Sequence, residues 1–493
     1  MANSFFGLNI GTSGLYAANT WLNITANNIS NEQTKGYSRQ TATQQASRPL
    51  RVFQRYGQLG SGVEVNNITR IRDEYYDVKY WLNNCKQGDS ATRAYYLTQI
   101  EDYFADDGTS GFTTEFGGLY NSLEELSKNP SDLSARSSML NYAQNFLEYM
   151  TTIRTNLQNT QADINAEISS NVDQINALAK EIAIINKQIN VIELQGANAN
   201  TLRDKRALLL DELSSIVEID TNEVSYSNGK SEFYVTICGK SLVNNYDCFT
   251  LEVVAREDKA DADDLVGLYD IQWSYGESFN PATSGTIGTL AALIKLRDGN
   301  NYIPEEGNPN SVPIEFKGIP YYINEVEKFL EQLTTTLNDI HAGGVNLYGE
   351  PTDTIPMFIH TEDDRYIVNP DILNDPAKMA TSTYGLDNIS STNIVDLLVD
   401  SKDLRNFDGG TAKEALNTII TELSIDSKKA QDNERNYTNF QNLIQNQRLS
   451  IMGVDKDEEA MNLVKYQEAY DLSAKVIQIM SEVYEKLINE TGI

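Results

Sequence analysis

Residues 164–192 read INAEISSNVDQINALAKEIAIINKQINVI and contain the clearest heptad pattern of the chain. Apolar side chains recur every seven residues at two neighbouring positions, which is the pattern of a helix that packs along one seam against another helix. One position holds Ile168, Ile175, Ile182 and Ile189, and the other holds Ile164, Leu178, Ile185 and Ile192, interrupted by Asn171. This stretch therefore predicts a long coiled-coil helix.

Helical spacing extends outward from this seam over about residues 71–217. Breaks are predicted near residues 106–111, at Asn129–Pro130 and near residues 196–200, where Gly, Pro, Asn and Asp interrupt the pattern. Leucines resume the helical spacing after the last break. We therefore expect the chain to fold back there as an antiparallel helical hairpin.

A second long helix is predicted over residues 411–451. It opens with Thr411 and Glu414, which have the spacing of a capping box. Its seam holds Leu416, Leu423, Ala430, Tyr437, Ile444 and Ile451. Because each long helix has one apolar seam, packing the two helices together buries both seams.

Between these helices the hydrophobic period changes to two. Alternating apolar residues over 218–276 predict strands, and shorter strand-like pieces follow at 357–359 and 365–368. The predicted fold class is mainly α with a β insert (α+β), in which the N- and C-terminal parts form a long antiparallel helical coiled-coil bundle that carries a small inserted β domain. The predicted domains are a terminal assembly domain (1–70 and 455–493), a helical bundle domain (71–217, 286–345 and 376–454), an inserted β domain (218–285) and a short irregular insert (346–375).

The chain has 493 residues, a formal net charge of −31 and a pI near 4.4. Proteins that bind nucleic acid need clustered Lys and Arg, so this charge argues against nucleic acid and anionic membrane surfaces as partners. No apolar run approaches the roughly 20 residues that span a bilayer, and residues 1–6 lack the features of a cleaved signal peptide. Composition alone favours a cytosolic protein and leaves open export without a cleaved signal.

Patterns that indicate catalysis or metal binding are missing from the sequence. His341 and His360 are the only histidines, too few for a histidine-based triad or metal centre, and we expect a packed or capping role for His341. Phosphate-loop and zinc-protease motifs are also missing. Cys238 and Cys248 could face each other across a hairpin, but the sequence leaves its register open. We therefore expect no enzyme activity, no catalytic residues, no cofactor and no metal site.

The two ends of the chain carry amphipathic helical patterns. Near the start, Leu8, Leu15, Leu22 and Ile29 recur every seven residues, beside a second row of Phe5, Thr12, Asn19 and Ala26. Near the end, one row holds Leu463, Tyr470, Ile477 and Tyr484, and the other holds Tyr466, Ser473, Met480 and Leu487. Such stripes have to be buried against each other or against another subunit. The predicted assembly interface consists of Leu8, Leu15, Leu22, Ile29, Leu463, Tyr466, Tyr470, Ile477, Met480, Tyr484 and Leu487.

Local propensity supports the need for a partner at the first helix. Gly7, Gly11 and Gly14 each cost roughly 1 kcal/mol relative to alanine inside a helix. A packing partner must supply the missing stability. At the other end, residues 455–459 place negative charge where a helix N-terminus is expected, which the helix macrodipole favours.

Two motifs near the chain ends resemble the signatures of the bacterial flagellar rod, hook and hook-associated proteins. The first is ANNISN at residues 26–31 followed by TKGYSRQ at 34–40, and the second runs from Gly453 to about Ile477. The residues assigned to the family signature are Asn27, Asn28, Gly36, Tyr37, Arg39 and Gln40. Within that family, the GYSRQ ending, the predicted helical hairpin and residues 338–349 resemble the hook-associated members found at the hook–filament junction.

The resemblance implies a structural, non-enzymatic subunit that links the hook to the filament. Export without a cleaved signal peptide, through the flagellar type III channel, and a location outside the cell at this junction are also implied. The implied partners are like subunits in a ring, the hook protein, a second hook–filament junction protein and an export chaperone. The alternatives are another axial protein, such as a hook or rod subunit with a β-rich middle, and, remotely, an enzyme carried in the inserted domain.

Overall fold

The computed structural model describes residues 6–51, 58–106, 111–226, 230–260, 264–301, 314–361, 363–384, 388, 390–408 and 410–490. These residues are mainly helical and also form several small antiparallel sheets. The predicted fold class, mainly α with a β insert, is therefore confirmed.

Long helices dominate the described part of the chain, and the longest, α4, has 61 residues. The helices are α1 (Phe6–Ser30), α2 (Glu74–Tyr103), α3 (Phe112–Lys128), α4 (Leu133–Glu193), α5 (Asn200–Ile216), α6 (Thr289–Asp298), α7 (Ile319–Ala342), α8 (Pro370–Asn374), α9 (Asn393–Asp400), α10 (Ala412–Met452) and α11 (Lys456–Asn489). Single 3-10 turns lie at Pro376–Lys378 and Ser401–Asp403.

The described strands pair in antiparallel ladders. They are β1 (Gln40–Ala46), β2 (Leu50–Arg51), β3 (Gln58–Leu59), β4 (Val63–Arg70), β5 (Ile219–Ser225), β6 (Ser231–Ile237), β7 (Lys240–Asn244), β8 (Asp247–Cys248), β9 (Leu251–Ala255), β10 (Tyr269–Trp273), β11 (Phe358–His360) and β12 (Tyr366–Val368). One sheet has the order β5-β6-β7-β8, and the two-stranded sheets are β1-β4, β2-β3, β9-β10 and β11-β12.

The chain divides into two compact units. The first consists of Met1–Gln87, Asp173–Leu251 and Tyr437–Ile493, and the second consists of Gly88–Val172 and Glu252–Asn436. The four-part division expected from the sequence draws its boundaries elsewhere and stays a prediction about domains. Hydrophobic periodicity could not have located most of the unit boundaries, because those at 87/88, 172/173 and 436/437 fall inside the continuous helices α2, α4 and α10.

In the first unit, polar side chains link α5 to parts of α2 and α10. Trp81 Nε1 donates a hydrogen bond to Asp211 Oδ1 (2.7 Å), and the Arg448 guanidinium donates to both oxygens of Asp211 (2.8 and 3.1 Å). Asn84 Nδ2 donates to the Asp211 carbonyl oxygen (2.8 Å). Asp211 thus joins helices from the N- and C-terminal parts of the chain, as the predicted bundle requires.

In the second unit, an aromatic cluster joins α3, α4 and α7. The ring centroid of Phe112 lies 5.2 to 5.8 Å from the ring centroids of Phe116, Phe146 and Phe329. His341, at the end of α7, is fully buried and accepts a hydrogen bond at Nε2 from the Ala380 backbone N–H (3.0 Å). Burial lowers the pKa of His341 to about 4, so the ring is neutral near pH 7. The packed role expected for His341 agrees with this geometry.

Local sequence signals located the helix ends well. Helices end before the expected breaks at residues 106–111, 129–130 and 196–200, and Gly196 has a φ of 87°, which suits a glycine at a helix end. The capping box is confirmed, because the Thr411 N–H donates to Glu414 Oε2 (2.9 Å) and the Glu414 N–H donates to Thr411 Oγ1 (3.3 Å). The strand-like pieces near 357–368 are the β11-β12 hairpin.

The strands between residues 218 and 285 belong to the predicted inserted β domain, which stays a prediction about domains. Among the described residues they form two sheets, with β5 to β8 in the first unit and the β9-β10 pair mostly in the second. Period-two alternation marks strands but carries no information on which strands pair. The register also separates the two cysteines, because Cys248 pairs with Val243 while Cys238 lies in the turn between β6 and β7.

The buried seam of α4 gives a stability prediction. Ile182 is fully buried, whereas Lys180 is exposed on the same helix. We expect Ile182→Asp to lower the free energy of unfolding by about 4 kcal/mol, because it places an unpaired charge in an apolar seam. Lys180→Asp, the matched control, should change it by less than about 0.5 kcal/mol. Urea denaturation followed by circular dichroism measures the free energy of unfolding of both variants. Equal denaturation midpoints for the two would contradict the assignment of Ile182 to the buried seam.

Candidate assembly interface

The two terminal helices, α1 and α11, pack against each other as an antiparallel pair within the first unit. Each step of seven residues along α1 is matched by a step of seven residues in the opposite direction along α11. The facing residues are Gly7 with Met480, Gly14 with Ser473, Trp21 with Tyr466 and Asn28 with Glu459. The constant step means that the pair keeps one heptad register along its length.

Glycines in the first half of α1 let the two helices approach closely. A Cβ atom added at Gly7 would lie 2.7 Å from Met480 Sδ, and one added at Gly11 would lie 2.9 Å from Ile477 Cγ1. Real Cβ atoms do not come so close to a neighbour, so a side chain at Gly7 would displace the flexible end of Met480, and one at Gly11 would push against Ile477 close to the α11 backbone. The glycines that weaken α1 as an isolated helix thus form its contact surface with α11.

Larger side chains take over in the second half of the pair. The rings of Trp21 and Tyr466 stack with centroids 5.0 Å apart and an interplanar angle of 15°. Trp21 Nε1 also donates to Gln44 Oε1 on β1 (3.0 Å). The stack gives the pair one specific aromatic contact, and the hydrogen bond ties it to the β1-β4 hairpin.

The row of α1 that faces α11 differs from the row that the sequence pattern suggested. Leu8, Leu15, Leu22 and Ile29 are half-buried and lie beside the glycine row. Asn19 and Ala26, placed by the pattern in the second row, are exposed, and Phe5 lies outside the described residues. A hydropathy pattern assigns glycine no weight, and so it selected the leucines. Whether these four residues contact another subunit stays a prediction.

The predicted residues of α11 fall into three groups. Tyr466, Ile477 and Met480 contact α1, while Tyr470 and Tyr484 are half-buried. Leu463 and Leu487 are 36% and 44% exposed. The rows chosen from the sequence therefore include the α1-facing side of α11 and reach beyond it.

The family-signature residues gather where α1 ends. Asn28 pairs with the backbone of Gln40, since its Nδ2 donates to the Gln40 carbonyl oxygen (2.9 Å) and its Oδ1 accepts from the Gln40 N–H (3.0 Å). Tyr37 Oη donates to Asn28 Oδ1 (2.8 Å) and accepts from Asn27 Nδ2 (3.0 Å). Gly36 has a φ of 81°, a conformation that favours glycine in this turn. The signature thus builds the turn that follows α1.

Arg39 and Glu459 connect this turn to the start of α11. The guanidinium of Arg39 donates through Nε to Glu459 Oε1 (2.8 Å), and it also binds the exposed Glu458 (2.8 Å). The Glu459 side chain is only 3% exposed and accepts a second hydrogen bond from Asn28 Nδ2 (3.3 Å). Asp455 caps α11 by accepting from the N–H groups of residues 457 and 458, so the expected helix N-terminus is confirmed.

The charges of this cluster keep its tyrosine neutral. Burial, together with the negative charges of Asp204 and Glu459, raises the pKa of Tyr37 to about 12. The phenol therefore keeps the proton that it donates to Asn28. For Arg39, burial disfavours the charged form, but hydrogen bonds to Glu458 and Glu459 outweigh burial and raise its pKa.

Sequence reasoning missed two parts of this site. It found Arg39 and the acidic start of α11, but it did not pair Arg39 with Glu459, which lies 420 positions away. It also gave no role to Asp204, whose Oδ2 accepts from the Ser38 N–H (3.0 Å). The spacing of Gly7, Gly11 and Gly14, which alternates by four and three residues, was the one signal that could have identified the contact row.

The described residues contain no candidate metal site. His, Cys, Asp and Glu side chains nowhere gather there into a group of three that could hold a metal ion. In the same residues, no helix combines the length and the hydropathy needed to cross a membrane.

Comparison with known proteins identifies the family. The family model described as "Flagellar hook-associated protein FlgK helical domain" matches residues 97–358, more than half of the chain. The chain belongs to this family. A second model, described as "Flagellar basal body rod FlgEFG protein C-terminal", matches residues 442–490, which include α11. The chain is therefore a structural component of the bacterial flagellum and not an enzyme, as the resemblance implied.

The relatives match over their whole length. Flagellar hook-associated protein 1 of Bacillus subtilis (strain 168) is 27% identical over 522 residues, covering 100% of this chain and 99% of the relative. The protein of the same name from Escherichia coli (strain K12) is 26% identical, covering 98% and 99%. A solved structure, the flagellar hook junction protein FlgK from Burkholderia pseudomallei, has a TM-score of 0.45 and 19% identity, and covers 56% of this chain and 45% of that chain.

The register of the helix pair can be tested with a designed disulfide in this FlgK-family chain. A Cβ at Gly14 would lie 3.7 Å from Ser473 Cβ, within the disulfide range of about 3.5–4.5 Å. With the three native cysteines replaced by alanine, we expect Gly14→Cys/Ser473→Cys to oxidise within one chain, as seen on non-reducing gels. Gly14→Cys/Tyr466→Cys, one heptad away, is the control, and equal cross-linking of both pairs would contradict the register.

The buried ion pair of the signature gives a second prediction. Arg39→Met leaves the Glu459 carboxylate buried with only Asn28 as a partner, which should weaken the protection of α1 and α11 amides in hydrogen exchange by about 2–3 kcal/mol. Lys456→Met is the matched control, because it removes an exposed pair with Glu32 between the same two chain ends. In Lys456→Met, the amides of α1 and α11 should keep nearly the same protection from hydrogen exchange as in the wild type. Similar losses in both variants would show that burial of the pair is unimportant.

Proposed function

We propose that the chain is a hook–filament junction subunit that assembles into a ring of like subunits through α1 and α11. The observation that carries this proposal is a second apolar face on α11. Its members are Met461, Val464, Leu472, Val476, Ile479 and Val483, which are exposed by 38% to 68%. At 100° per residue, this face lies about a third of a turn from the row that contacts α1.

The exposed face calls for a partner. Met461 and Leu472 are 68% and 65% exposed, and Ile479 and Val483 are 49% and 46% exposed. Contiguous apolar surface of this kind is typical of a protein interaction site, since leaving it in water costs about 25 cal/mol for each Å². The contact with α1 uses a neighbouring face of α11 and reaches the stripe only at Val476, so most of the stripe remains available for another subunit.

A groove at the edge of this stripe, which shares Leu472 and Val476 with it, offers a complementary shape. This groove of about 330 Å³ lies beside the glycine row and is lined by Ile10, Gly11, Gly14, Gly62, Val63, Leu472, Ser473 and Val476. An apolar side chain from a neighbouring copy could fill this groove. A contact between two different surfaces of identical subunits is heterologous, and repetition of such a contact gives a ring or a helical array. This supports like subunits as the first partner.

The further partners are proposed from the family. They are the hook protein on one side, a second hook–filament junction protein on the other, and an export chaperone before assembly. In this proposal the chain leaves the cell through the flagellar export channel without a cleaved signal peptide. Another axial role, as a hook or rod subunit, shares the terminal signatures, but the helical middle at residues 97–358 favours the junction role.

The experiment changes the exposed face alone. Ile479→Asp places a charge on the stripe, and Gln478→Asp places the same charge on the adjacent exposed position. Each variant is expressed in a strain that lacks the native gene, and motility, secreted flagellin and thermal melting of the purified protein are recorded. We expect both proteins to melt like the wild type, but only Ile479→Asp to leave hooks bare and flagellin unpolymerised. Normal motility of Ile479→Asp would refute assembly through this face.

A further inference from the structure

Residues Ser38 and Arg39 join the terminal helix pair to the rest of the first unit, and they lie between two carboxylates. Arg39 binds Glu459 of α11, whereas the Ser38 N–H donates to Oδ2 of Asp204 on α5 (3.0 Å). The Arg39 N–H also donates to the carbonyl oxygen of Met452, the last residue of α10 (2.8 Å). The consecutive residues Ser38 and Arg39 thus contact both the helix pair, through α11, and the helices α5 and α10.

Asp204 holds both ends of the segment that runs from Ser38 to Arg72. Besides the Ser38 N–H, its carboxylate binds Arg70 Nη1 at 2.8 Å and lies 3.7 Å from Arg72 Nη1. The Asp204 side chain is 7% exposed, so these groups replace the water that it has lost. The Asp204 carboxylate therefore accepts hydrogen bonds from residues just before β1 and at the end of β4, the two strands of this hairpin.

The same cluster continues into α2 and α10. Arg72 donates to both oxygens of Asp77 (2.6 and 3.0 Å), and Arg448 Nε lies 2.7 Å from Asp77 Oδ1. The side chains of Arg72, Asp77 and Arg448 are 4% to 6% exposed. Charge-assisted contacts between planar groups are directional, and buried charges are costly to leave unpaired. Such a cluster favours a single arrangement of the elements that it connects.

We propose that Asp204 is a positioning residue that fixes the orientation of the α1–α11 pair relative to α5. The seam of the pair consists of other residues, so Asp204 acts on where the pair points and not on whether it forms. This inference rests on the proposed function, because the orientation of the pair sets how the exposed face of α11 meets a neighbouring subunit. Loss of Asp204 leaves a formed but loosely attached helix pair.

The test compares two buried carboxylates of the same unit. Asp204→Asn keeps the shape and the acceptor for the Ser38 N–H but removes the charge that holds Arg70. Glu193→Gln is the matched control, because Glu193 binds Arg203 (2.6 Å) with a side chain that is 10% exposed. Should Asp204→Asn fold poorly, Asp204→Asn/Arg70→Gln also removes the unpaired guanidinium and serves in its place.

The readout is a distance within the full-length chain. Spin labels are placed at two exposed positions, Glu212→Cys on α5 and Asp471→Cys on α11, after replacement of the three native cysteines by alanine. We expect one narrow distance peak in the wild type and in Glu193→Gln, and a shift to a broad distribution in Asp204→Asn. The Gly14–Ser473 disulfide should still form in all three backgrounds.

Two results would overturn the inference. One is an equal distance distribution in Asp204→Asn and Glu193→Gln, which would leave Asp204 with a role in stability alone. The other is loss of the Gly14–Ser473 disulfide in Asp204→Asn, which would place Asp204 in the formation of the pair. Because the distances are measured on the purified chain, failure of the Ile479→Asp experiment would reject the proposed function without touching this test.

Discussion

The buried contact between Arg39 and Glu459 is the constraint on which the terminal structure depends. It joins groups 420 positions apart in the chain, so forming it closes a very long loop, which costs conformational entropy. Asn28 shares the same carboxylate and simultaneously fixes Gln40. The end of α1, the start of α11 and the start of β1 therefore meet at one point, and the register of the helix pair follows from that point.

The sequence predicted helices and their ends well because those signals are local. Thr411 and Glu414 satisfy each other within one turn, and the seam around Ile182 repeats along one continuous helix. The glycine row of α1 escaped prediction for a physical reason. Gly7, Gly11 and Gly14 bury a contact by having no side chain, so they leave no trace in a hydrophobic pattern, while the neighbouring leucines leave a strong one.

Long-range pairing marks the limit of what the sequence could predict at the site. The signature residues around Tyr37 were found by their resemblance to a family, but neither periodicity nor spacing connects Ser38 to Asp204, 166 positions away. The same limit applies to the strands, because alternation over residues 218–276 is compatible with one sheet or two. The partner of a buried charge, like the partner of a strand, is chosen by the folded chain as a whole.

The composition of the helix pair couples its own stability to assembly. Its three glycines together lower the stability of α1 as a helix by about 3 kcal/mol relative to alanine. They also permit a close approach, which brings α1 into van der Waals contact with Met480, Ile477 and Ser473. Most of the exposed apolar face of α11 lies outside this contact and is accessible to water. Under the proposed assembly, a neighbour that covers this face and binds only the paired helices would stabilise the pair by mass action. The terminal structure would then be strongest where the proposal places it, at a contact between subunits.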